Sequence, residues 1–403
     1  MKIQTALKDL SYQIIWGEAD QEVKEVIYDS RKAEPETVFV CMVGARIDSH
    51  DFMQEVAEKG CRLFVVEKEI PEEQLQKLPE GTSVVRVDSA REALAHLSAA
   101  RFGFPAEKMT CIGVTGTKGK TTTTYMIKAI LEMYAITKDE KYFSFADHFI
   151  DCKVMEDGSI EGYSVEELNI DNVNAGKTLF ELYDLTGKEK YRKAIDLVYS
   201  QIQKMPRTKE GNFWHKNIYP NQVWLDGLYM CQPFYMEYET RFHDKKKYDD
   251  IFSQFFNVVK NMRDPKTGLY YHAYDSSREM FWCDKVTGLS QNFWLRALGW
   301  YSMALLDTLD KADASVGEPY EKMKQIFVEL MDSMLKYQDE SGMWYQVVNV
   351  GGMDRNYLET SGSSIMAYAL LKGVRLGFLP ESYRTYGEKA FHGICEKYLS
   401  EDE

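Results

Sequence analysis

The chain has 403 residues, 44% of them hydrophobic and 28% charged, which is typical of a globular protein with two or three domains. Its net charge of -14 argues against a nucleic-acid-binding or membrane-binding surface. Seven cysteines without a CxxC pair argue against a zinc site or a disulfide framework, and the first residues form no apolar leader segment. We therefore expect a cytoplasmic protein without a bound metal, whose oligomeric state the sequence does not indicate.

The first 130 residues alternate short β-branched runs with helical segments. The runs Thr37–Met42, Leu63–Val66 and Ser83–Val87 predict strands. Between them, Phe52–Lys59 and Arg91–Ala100 have the apolar spacing of helices. This alternation predicts an α/β layer structure.

A glycine-rich turn follows in the segment Met109–Thr124. The run Thr110–Val114 predicts a strand that enters the turn Gly116–Lys120, and a helix is predicted to begin at Thr121. In this context the glycines let backbone N–H groups approach phosphates at a helix N-terminus. Lys120 would reach the terminal phosphates and the Thr121 hydroxyl would bind Mg²⁺, so ATP with Mg²⁺ is the ligand that the pattern predicts.

This run, GVTGTKGKTTT, resembles the ATP loop of the Mur ligases of peptidoglycan synthesis. Tyr28–Lys32 (YDSRK) and Asp48–Phe52 (DSHDF) resemble the uridine-nucleotide-binding domain of the ligase that adds the third amino acid of the stem peptide. The resemblance covers residues 1–130 and implies these nucleotide-binding residues: Ser30, Gly116, Thr117, Lys118, Gly119, Lys120 and Thr121. A second magnesium ligand and an orienting carboxylate do not follow, so we expect weak nucleotide binding at most and no ligation.

Composition and pattern change near residue 131. Trp16 is the one tryptophan, of seven, in residues 1–130. The helix that begins at Thr121 carries an apolar stripe through Ile127, Leu131 and Tyr134, which Thr137–Asp139 interrupts. Because no Pro-, Gly- or Ser-rich linker marks the join, we interpret the chain as a fusion of a domain over 1–130 with a second domain over 131–403.

The second part of the chain contains internal repeats. YAITKDEKYFSFA at 134–146 is similar to YDLTGKEKYRKAI at 183–195. A glycine, an aromatic pair and a polar residue recur as GNFWHK at 211, GLYYHAY at 268 and GMWYQVV at 342. Such repeats predict stacked α-hairpins, which closed in a ring would form an α/α barrel. The loops at one end would then line a shared cleft with aromatic rings and sparse polar groups, which suits sugars.

The segment Gly211–Met230 contains the candidate catalytic acid. From Asn217 to Met236, Asp226 is the only carboxylate or basic side chain. Apolar residues around it recur at helical spacing and predict a helix that is buried nearly all round: Trp224, Leu228, Cys231, Tyr235 and Tyr238. Burial would raise the pKa of Asp226, which suits a carboxylic acid that donates a proton near neutral pH. The alternative is a structural carboxylate that caps a backbone or pairs with Lys216 or Arg296.

Further polar residues complete the candidate site. Asp171 precedes the predicted helix Asn172–Tyr183 and could supply the second carboxylate of a glycosidase, or act only as a helix N-cap. His215 and His272 occupy matching places in the repeat, although a histidine in such a place is often structural.

Arg296 and Trp300 are four residues apart and are predicted to share one helix face. There the guanidinium would hold a carboxylate and the indole would stack on a ring. The alternative is core packing, with the arginine paired to an acid.

These residues resemble the unsaturated rhamnogalacturonyl hydrolases, which are close to the unsaturated glucuronyl hydrolases. The resemblance covers residues 131–400 and rests on the motifs around Asp171, His215, Asp226, His272 and Arg296. It implies a six-hairpin α/α barrel that needs no cofactor. It also implies hydration of the C4=C5 bond that pectin lyases leave on a terminal uronic acid, with an unsaturated galacturonyl-rhamnose oligosaccharide as substrate.

The same resemblance assigns roles to residues. Asp226 would protonate the vinyl ether carbon and activate water, and Asp171 would hold substrate hydroxyls or assist. The substrate-binding residues would be His215, Trp224, His272, Arg296 and Trp300.

We therefore predict a mixed fold, with a small α/β part followed by an all-α barrel that lacks its opening helix and its last closing segment. Two other interpretations remain open. One is an ATP-dependent Mur-type ligase, and the other is an inactive fusion that only binds carbohydrate or nucleotide.

Overall fold

The computed structural model describes residues 6–7, 10–18, 23–43, 48–101 and 120–398. Contacts divide the chain into two units, Met1–Gly113 and Val114–Glu403. The domain boundary predicted between residues 130 and 131 stays a prediction. Within the described segments, no helix is long and apolar enough to cross a membrane.

The first unit is built on a five-stranded sheet with the order β1-β5-β4-β3-β2. Its first strand is antiparallel to the fifth, and the other neighbours are parallel. The elements are β1 (Tyr12–Trp16), β2 (Glu25–Ile27), β3 (Thr37–Val40), α1 (Met53–Glu58), β4 (Leu63–Val66), α2 (Glu72–Leu75), β5 (Ser83–Val87) and α3 (Ala90–Arg101).

Alternation along the strands divides the apolar residues between two faces of this sheet. Val38 and Val40 of β3 belong to one buried cluster with Leu97 of α3. Phe39, between them, belongs to a second buried cluster with Met53 of α1. The three strands and two helices predicted between residues 37 and 101 are confirmed. The two strands β1 and β2 were missed, and the strand predicted at 110–114 lies outside the described residues.

The described part of the second unit is built mainly from five consecutive helical pairs. The pairs are α4 (Lys120–Thr137) with α5 (Glu140–Asp151), α6 (Lys177–Thr186) with α7 (Glu189–Lys204), α8 (Leu225–Phe242) with α9 (Tyr248–Met262), α10 (Leu295–Lys311) with α11 (Glu318–Leu335), and α12 (Thr360–Arg375) with α13 (Arg384–Tyr398). Helix α4 ends at Thr137, where the interruption of the apolar stripe predicted an end.

Alternate helices pack side by side and point the same way. Near their N-termini, Trp300 of α10 stacks on Tyr229 of α8, with 5.3 Å between ring centroids. Near their C-termini, Thr240 of α8 donates a hydrogen bond of 2.8 Å to the carbonyl oxygen of Lys311 in α10. We call the first helix of each pair (α4, α6, α8, α10 and α12) an inner helix. The N-terminal ends of α8 and α10 lie side by side, and we call this end of the inner helices the rim.

The opposite ends of the inner helices carry ion pairs. Lys372 of α12 lies 2.8 Å from both Asp307 and Asp310 of α10, and Lys311 lies 3.0 Å from Glu237 of α8. Burial alone would raise the pKa of Asp307, but Lys372 and other lysine charges outweigh it and hold this pKa below its usual value. These pairs connect three inner helices at the end away from the rim.

Helix α8 begins at the rim and is buried along most of its length. Every residue from Gly227 to Glu239 is buried, as the apolar spacing predicted. Pro233 lies inside it and has no N–H, so the carbonyl oxygen of Tyr229 lacks its usual helical donor. Lys177 of α6 supplies a donor instead, because its Nζ lies 2.6 Å from that oxygen and 3.5 Å from the centroid of the Tyr229 ring.

We expect Lys177→Met to lower the free energy of unfolding by about 1–3 kcal/mol, because a buried carbonyl oxygen loses its donor. In a Pro233→Ala background the backbone N–H can return, so the same change should be less damaging by roughly 1 kcal/mol. Urea denaturation of the four proteins in this double-mutant cycle measures the coupling. Equal losses in both backgrounds would contradict this assignment of Lys177.

Candidate active site

The site forms around a short two-stranded ribbon at the rim. Strand β6 (Gln222–Trp224) pairs antiparallel with β7 (Ala273–Asp275), and Trp224 is opposite Ala273. Just beyond the ribbon, the N–H of Leu225 donates to the carbonyl oxygen of His272 at 3.1 Å. This pairing fixes the start of α8 beside His272.

Asp226 lies in the first turn of α8 and pairs with His272. Its Oδ2 is 3.1 Å from Nε2 of His272, and the two side chains are 19% and 21% exposed. Neither Lys216 nor Arg296, the partners considered from the sequence, makes this contact. The carboxyl group therefore reaches solvent at the rim although the helix behind it is buried.

The pKa of Asp226 lies below its ordinary value. Burial acts to raise this pKa, but the hydrogen bond to His272 and the charges of His272 and His215 together outweigh burial. The expectation that burial would raise the pKa of Asp226 is therefore wrong. The apolar sequence around Asp226 indicated burial correctly but could not indicate a histidine partner 46 positions away.

Asp171 is the second carboxylate of the site. It lies in the first turn of the 3-10 helix Ile170–Gly176, and the N-cap of that helix is Asn169, whose side chain accepts from the N–H of Asp171 at 3.1 Å. Asp171 is thus not the helix cap. Its Oδ2 lies 2.7 Å from Nζ of Lys216, and its Oδ1 lies 3.4 Å from Nε2 of His215.

The ring of His215 interacts electrostatically with both carboxylates, Asp171 and Asp226. Its side chain is 5% exposed, and burial lowers its pKa more than the charges of Asp171 and Asp226 raise it. The neutral form is therefore favoured near neutral pH. A Cβ atom on Gly227 would lie 2.8 Å from Nδ1 of His215, so the close approach of this ring to α8 requires glycine.

Aromatic rings line the site on both sides of His272. Trp224 stacks on His215 at 5.1 Å with an interplanar angle of 11°, and on Tyr219 at 5.6 Å and 4°. The centroid of the His272 ring lies 5.1 Å from that of Trp224 and 4.8 Å from that of Trp294, and both pairs are in edge-to-face arrangement.

Sequence reasoning missed Trp294, although a signal was present. Trp294-Leu295-Arg296 opens α10 as Trp224-Leu225-Asp226 opens α8, and both tryptophans are N-caps with extended backbone. Aligning the two helix starts would have identified Trp294.

Arg296 and Trp300 both lie on α10, as predicted. Nη1 of Arg296 is 3.3 Å from Oγ of Ser361, and its guanidinium lies 4.4 Å from the Trp294 ring centroid. In the described part of the chain, no carboxylate forms an ion pair with Arg296. Trp300 lies one turn deeper, on Tyr229.

The structure thus brings the seven residues predicted for catalysis and substrate binding to the rim at the N-terminal ends of the inner helices. They are Asp171, His215, Trp224, Asp226, His272, Arg296 and Trp300. Their roles stay predictions.

The predicted nucleotide-binding residues are described only in part. Ser30 begins a 3-10 helix capped by Asp29, and its carbonyl oxygen accepts from Nζ of Lys59 at 3.1 Å. Gly116, Thr117, Lys118 and Gly119 lie outside the described residues, as do the side chains of Lys120 and Thr121. Binding of ATP and Mg²⁺ stays a prediction. The part of the chain that is described holds no group of three or more His, Cys, Asp or Glu residues suited to a metal ion.

Comparison with known proteins finds different relatives for the two parts of the chain. The model of the Mur ligase family, catalytic domain, matches residues 22–102. The UDP-N-acetylmuramoyl-L-alanyl-D-glutamate–2,6-diaminopimelate ligase of Clostridium perfringens is 36% identical over 132 residues, which are 33% of this chain and 26% of that ligase. The chain therefore spans about a quarter of the length of the ligases that it matches.

The second relationship covers the helical unit. The unsaturated rhamnogalacturonyl hydrolase YesR of Bacillus subtilis is 28% identical over 276 residues, which are 66% of this chain and 72% of YesR. A family 105 glycoside hydrolase structure from Clostridium acetobutylicum is 47% identical and has a TM-score of 0.67. The match covers 69% of this chain and 78% of the hydrolase chain.

These likenesses confirm the predicted fold class, in which a small α/β part precedes a helical unit that resembles an α/α barrel. The unsaturated glucuronyl hydrolase of Bacillus sp. GL1, at 14% identity and a TM-score of 0.56, shares the fold. The model of Glycosyl Hydrolase Family 88 matches residues 121–403, which is more than half of the chain. The chain belongs to glycosyl hydrolase family 88.

Proposed function

We propose that the protein hydrates the C4=C5 double bond of a terminal unsaturated uronic acid and so releases the neighbouring sugar of an oligosaccharide. The observation that carries this proposal is Asp226, which lies in the first turn of a buried helix, is 19% exposed and is hydrogen-bonded to His272. Similarity to YesR, an unsaturated rhamnogalacturonyl hydrolase, supports a galacturonyl-rhamnose type of substrate.

The reaction needs one group that gives a proton and takes one back. Asp226 protonates C4, and a water molecule adds its hydroxyl to C5 while returning a proton to the carboxylate. The hemiketal at C5 then opens to a ketone and leaves a hemiacetal at C1. That hemiacetal collapses to an aldehyde and releases the neighbouring sugar as an alcohol. One carboxyl group is regenerated in each turnover, so no metal or cofactor enters the balance.

The low pKa of Asp226 in the free protein is compatible with this role. The substrate carries its own carboxylate, and a second negative charge nearby favours the neutral form of Asp226. Closure of the cleft over a sugar also removes water, which acts in the same direction. Binding of the substrate would therefore protonate the acid that the reaction needs.

The substrate carboxylate needs a cationic partner, and Arg296 is suited to that role. Its guanidinium is supported by Ser361 and Trp294, while the cationic Lys216 is occupied by Asp171. A guanidinium can donate two parallel hydrogen bonds to a carboxylate. Trp224 and Trp300 supply rings for the apolar faces of the sugars.

We expect Asp226→Asn to lower kcat by about 100-fold to 10,000-fold, because an amide cannot exchange the proton. Loss of the ultraviolet absorbance of the double bond in an unsaturated galacturonyl-rhamnose disaccharide measures turnover. Asp184→Asn, a change in α6 away from the rim, is the matched control and should keep normal rates. Near-normal turnover in Asp226→Asn would overturn the assignment.

Replacement of His272 should change the pH profile in a defined direction. His272 lowers the pKa of Asp226 through a hydrogen bond and a charge, and kcat/KM reports the free enzyme. Since protonated Asp226 is the active form, kcat/KM falls as pH rises through this pKa. We expect the midpoint of that fall to move to higher pH in His272→Gln and further in His272→Leu. A midpoint that stays fixed or moves to lower pH would contradict the role of Asp226.

Gly227→Ala should displace His215, because the added Cβ atom would lie 2.8 Å from Nδ1. Displacement of a group that orients substrate lowers activity by roughly 10-fold to 100-fold. Gly373→Ala is the control. Gly373 lies on α12 away from the rim, and its added Cβ atom would lie 2.8 Å from Cδ1 of Leu379. The same assay measures the turnover of both variants. Equal activity in the two would show that crowding at His215 does not affect catalysis.

A further inference from the structure

A small cavity is lined in part by the ring of His215. Its volume is about 10 Å³, and its polar lining residues are His215, Gln232 and Gln254. Its apolar lining includes Phe213, Val223 and Leu228. The three polar side chains are nearly inaccessible, with exposures of 5%, 1% and 2%.

Two buried polar atoms of these lining residues lack a hydrogen-bond partner among the described protein atoms. They are Nδ1 of His215 and Oε1 of Gln232. By contrast, the Gln254 side chain is occupied, because its Oε1 accepts from the N–H of Phe213 at 3.0 Å and its Nε2 donates to the carbonyl oxygen of Gly211 at 3.1 Å. Buried polar atoms in proteins almost always have a partner.

The other ring nitrogen of His215 determines what Nδ1 requires. Nε2 lies 3.4 Å from the carboxylate oxygen of Asp171, which can only accept. A neutral imidazole carries one N–H, so an Nε2–H that faces Asp171 leaves Nδ1 as an acceptor. Both Nδ1 of His215 and Oε1 of Gln232 then need a donor, and one molecule that donates twice would satisfy both.

We propose that this cavity holds one water molecule, which donates one hydrogen bond to Nδ1 of His215 and the other to Oε1 of Gln232. The volume suits a single water, which occupies about 10–15 Å³ on this measure. The water and Asp171 act on opposite ends of the ring and both select the Nε2–H tautomer. Gln232, six residues along α8 from Asp226, is thereby a positioning residue for His215.

The water and the tautomer do not depend on the reaction, whereas the effect of Gln232 on turnover rests on the proposed function. Imidazole ¹⁵N chemical shifts of the full chain distinguish the two tautomers, and a His215→Asn variant assigns the signals. We expect a donor-type shift at Nε2 and an acceptor-type shift at Nδ1. A high-resolution crystal structure should show one water between His215 and Gln232.

Gln232→Met keeps the length of the side chain and removes the acceptor. We expect it to mix the tautomers of His215 and to lower kcat by about tenfold, with little change in KM. Met236→Leu, one turn further along the same buried helix, is the matched control and should leave the His215 signals unchanged.

Each result has a distinct meaning. A cavity without water in the wild-type crystal, or a wild-type His215 protonated at Nδ1 and bare at Nε2, overturns the inference whether or not the variant folds. Absence of turnover in the wild type would overturn the proposed function and leave the tautomer measurement valid. Unchanged His215 signals in a folded Gln232→Met protein would overturn the role of Gln232.

Discussion

The site depends on the hydrogen bond that stabilises the carboxyl group of Asp226 in the first turn of a buried helix. A carboxyl group removed from water without a partner would be strongly destabilising, so Asp226 needs a donor from elsewhere in the chain. His272 is that donor, and it is positioned because the ribbon β6–β7 ends where α8 begins. The backbone bond between Leu225 and His272 makes the arrangement a property of the main chain, and the neighbouring rings then pack around it.

The two carboxylates of the cleft differ in the kind of partner they have. Asp171 pairs with the side-chain amine of Lys216, whereas Asp226 pairs with the imidazole of His272. This asymmetry agrees with the proposal that Asp226 is the carboxyl group that exchanges the proton. Two carboxylates in different environments are a common way to divide acid and anchoring roles.

Much of this could be predicted from the sequence, because long apolar periodicities and β-branched runs determine local structure directly. The helix around Asp226, the strands at 63–66 and 83–87 and the shared face of Arg296 and Trp300 are of this kind. The partner of Asp226 could not be predicted in this way. His272 is 46 positions away in the chain, and a ribbon with strands of only three residues brings the two together. The direction of the pKa shift at Asp226 depends on that contact, which is why burial alone predicted the wrong sign.

The ion pairs at the far ends of the inner helices have a consequence for how the protein can be altered. The lowered pKa of Asp307 means that its contribution to stability is present above about pH 4, its usual unfolded range, and is lost only as pH falls through the lower folded value. Its partner Lys372 has a raised pKa, so the pair persists until strongly alkaline pH. The pH range over which these helices stay connected is therefore set by Asp307 and Lys372, which are separate from the residues of the proposed active site.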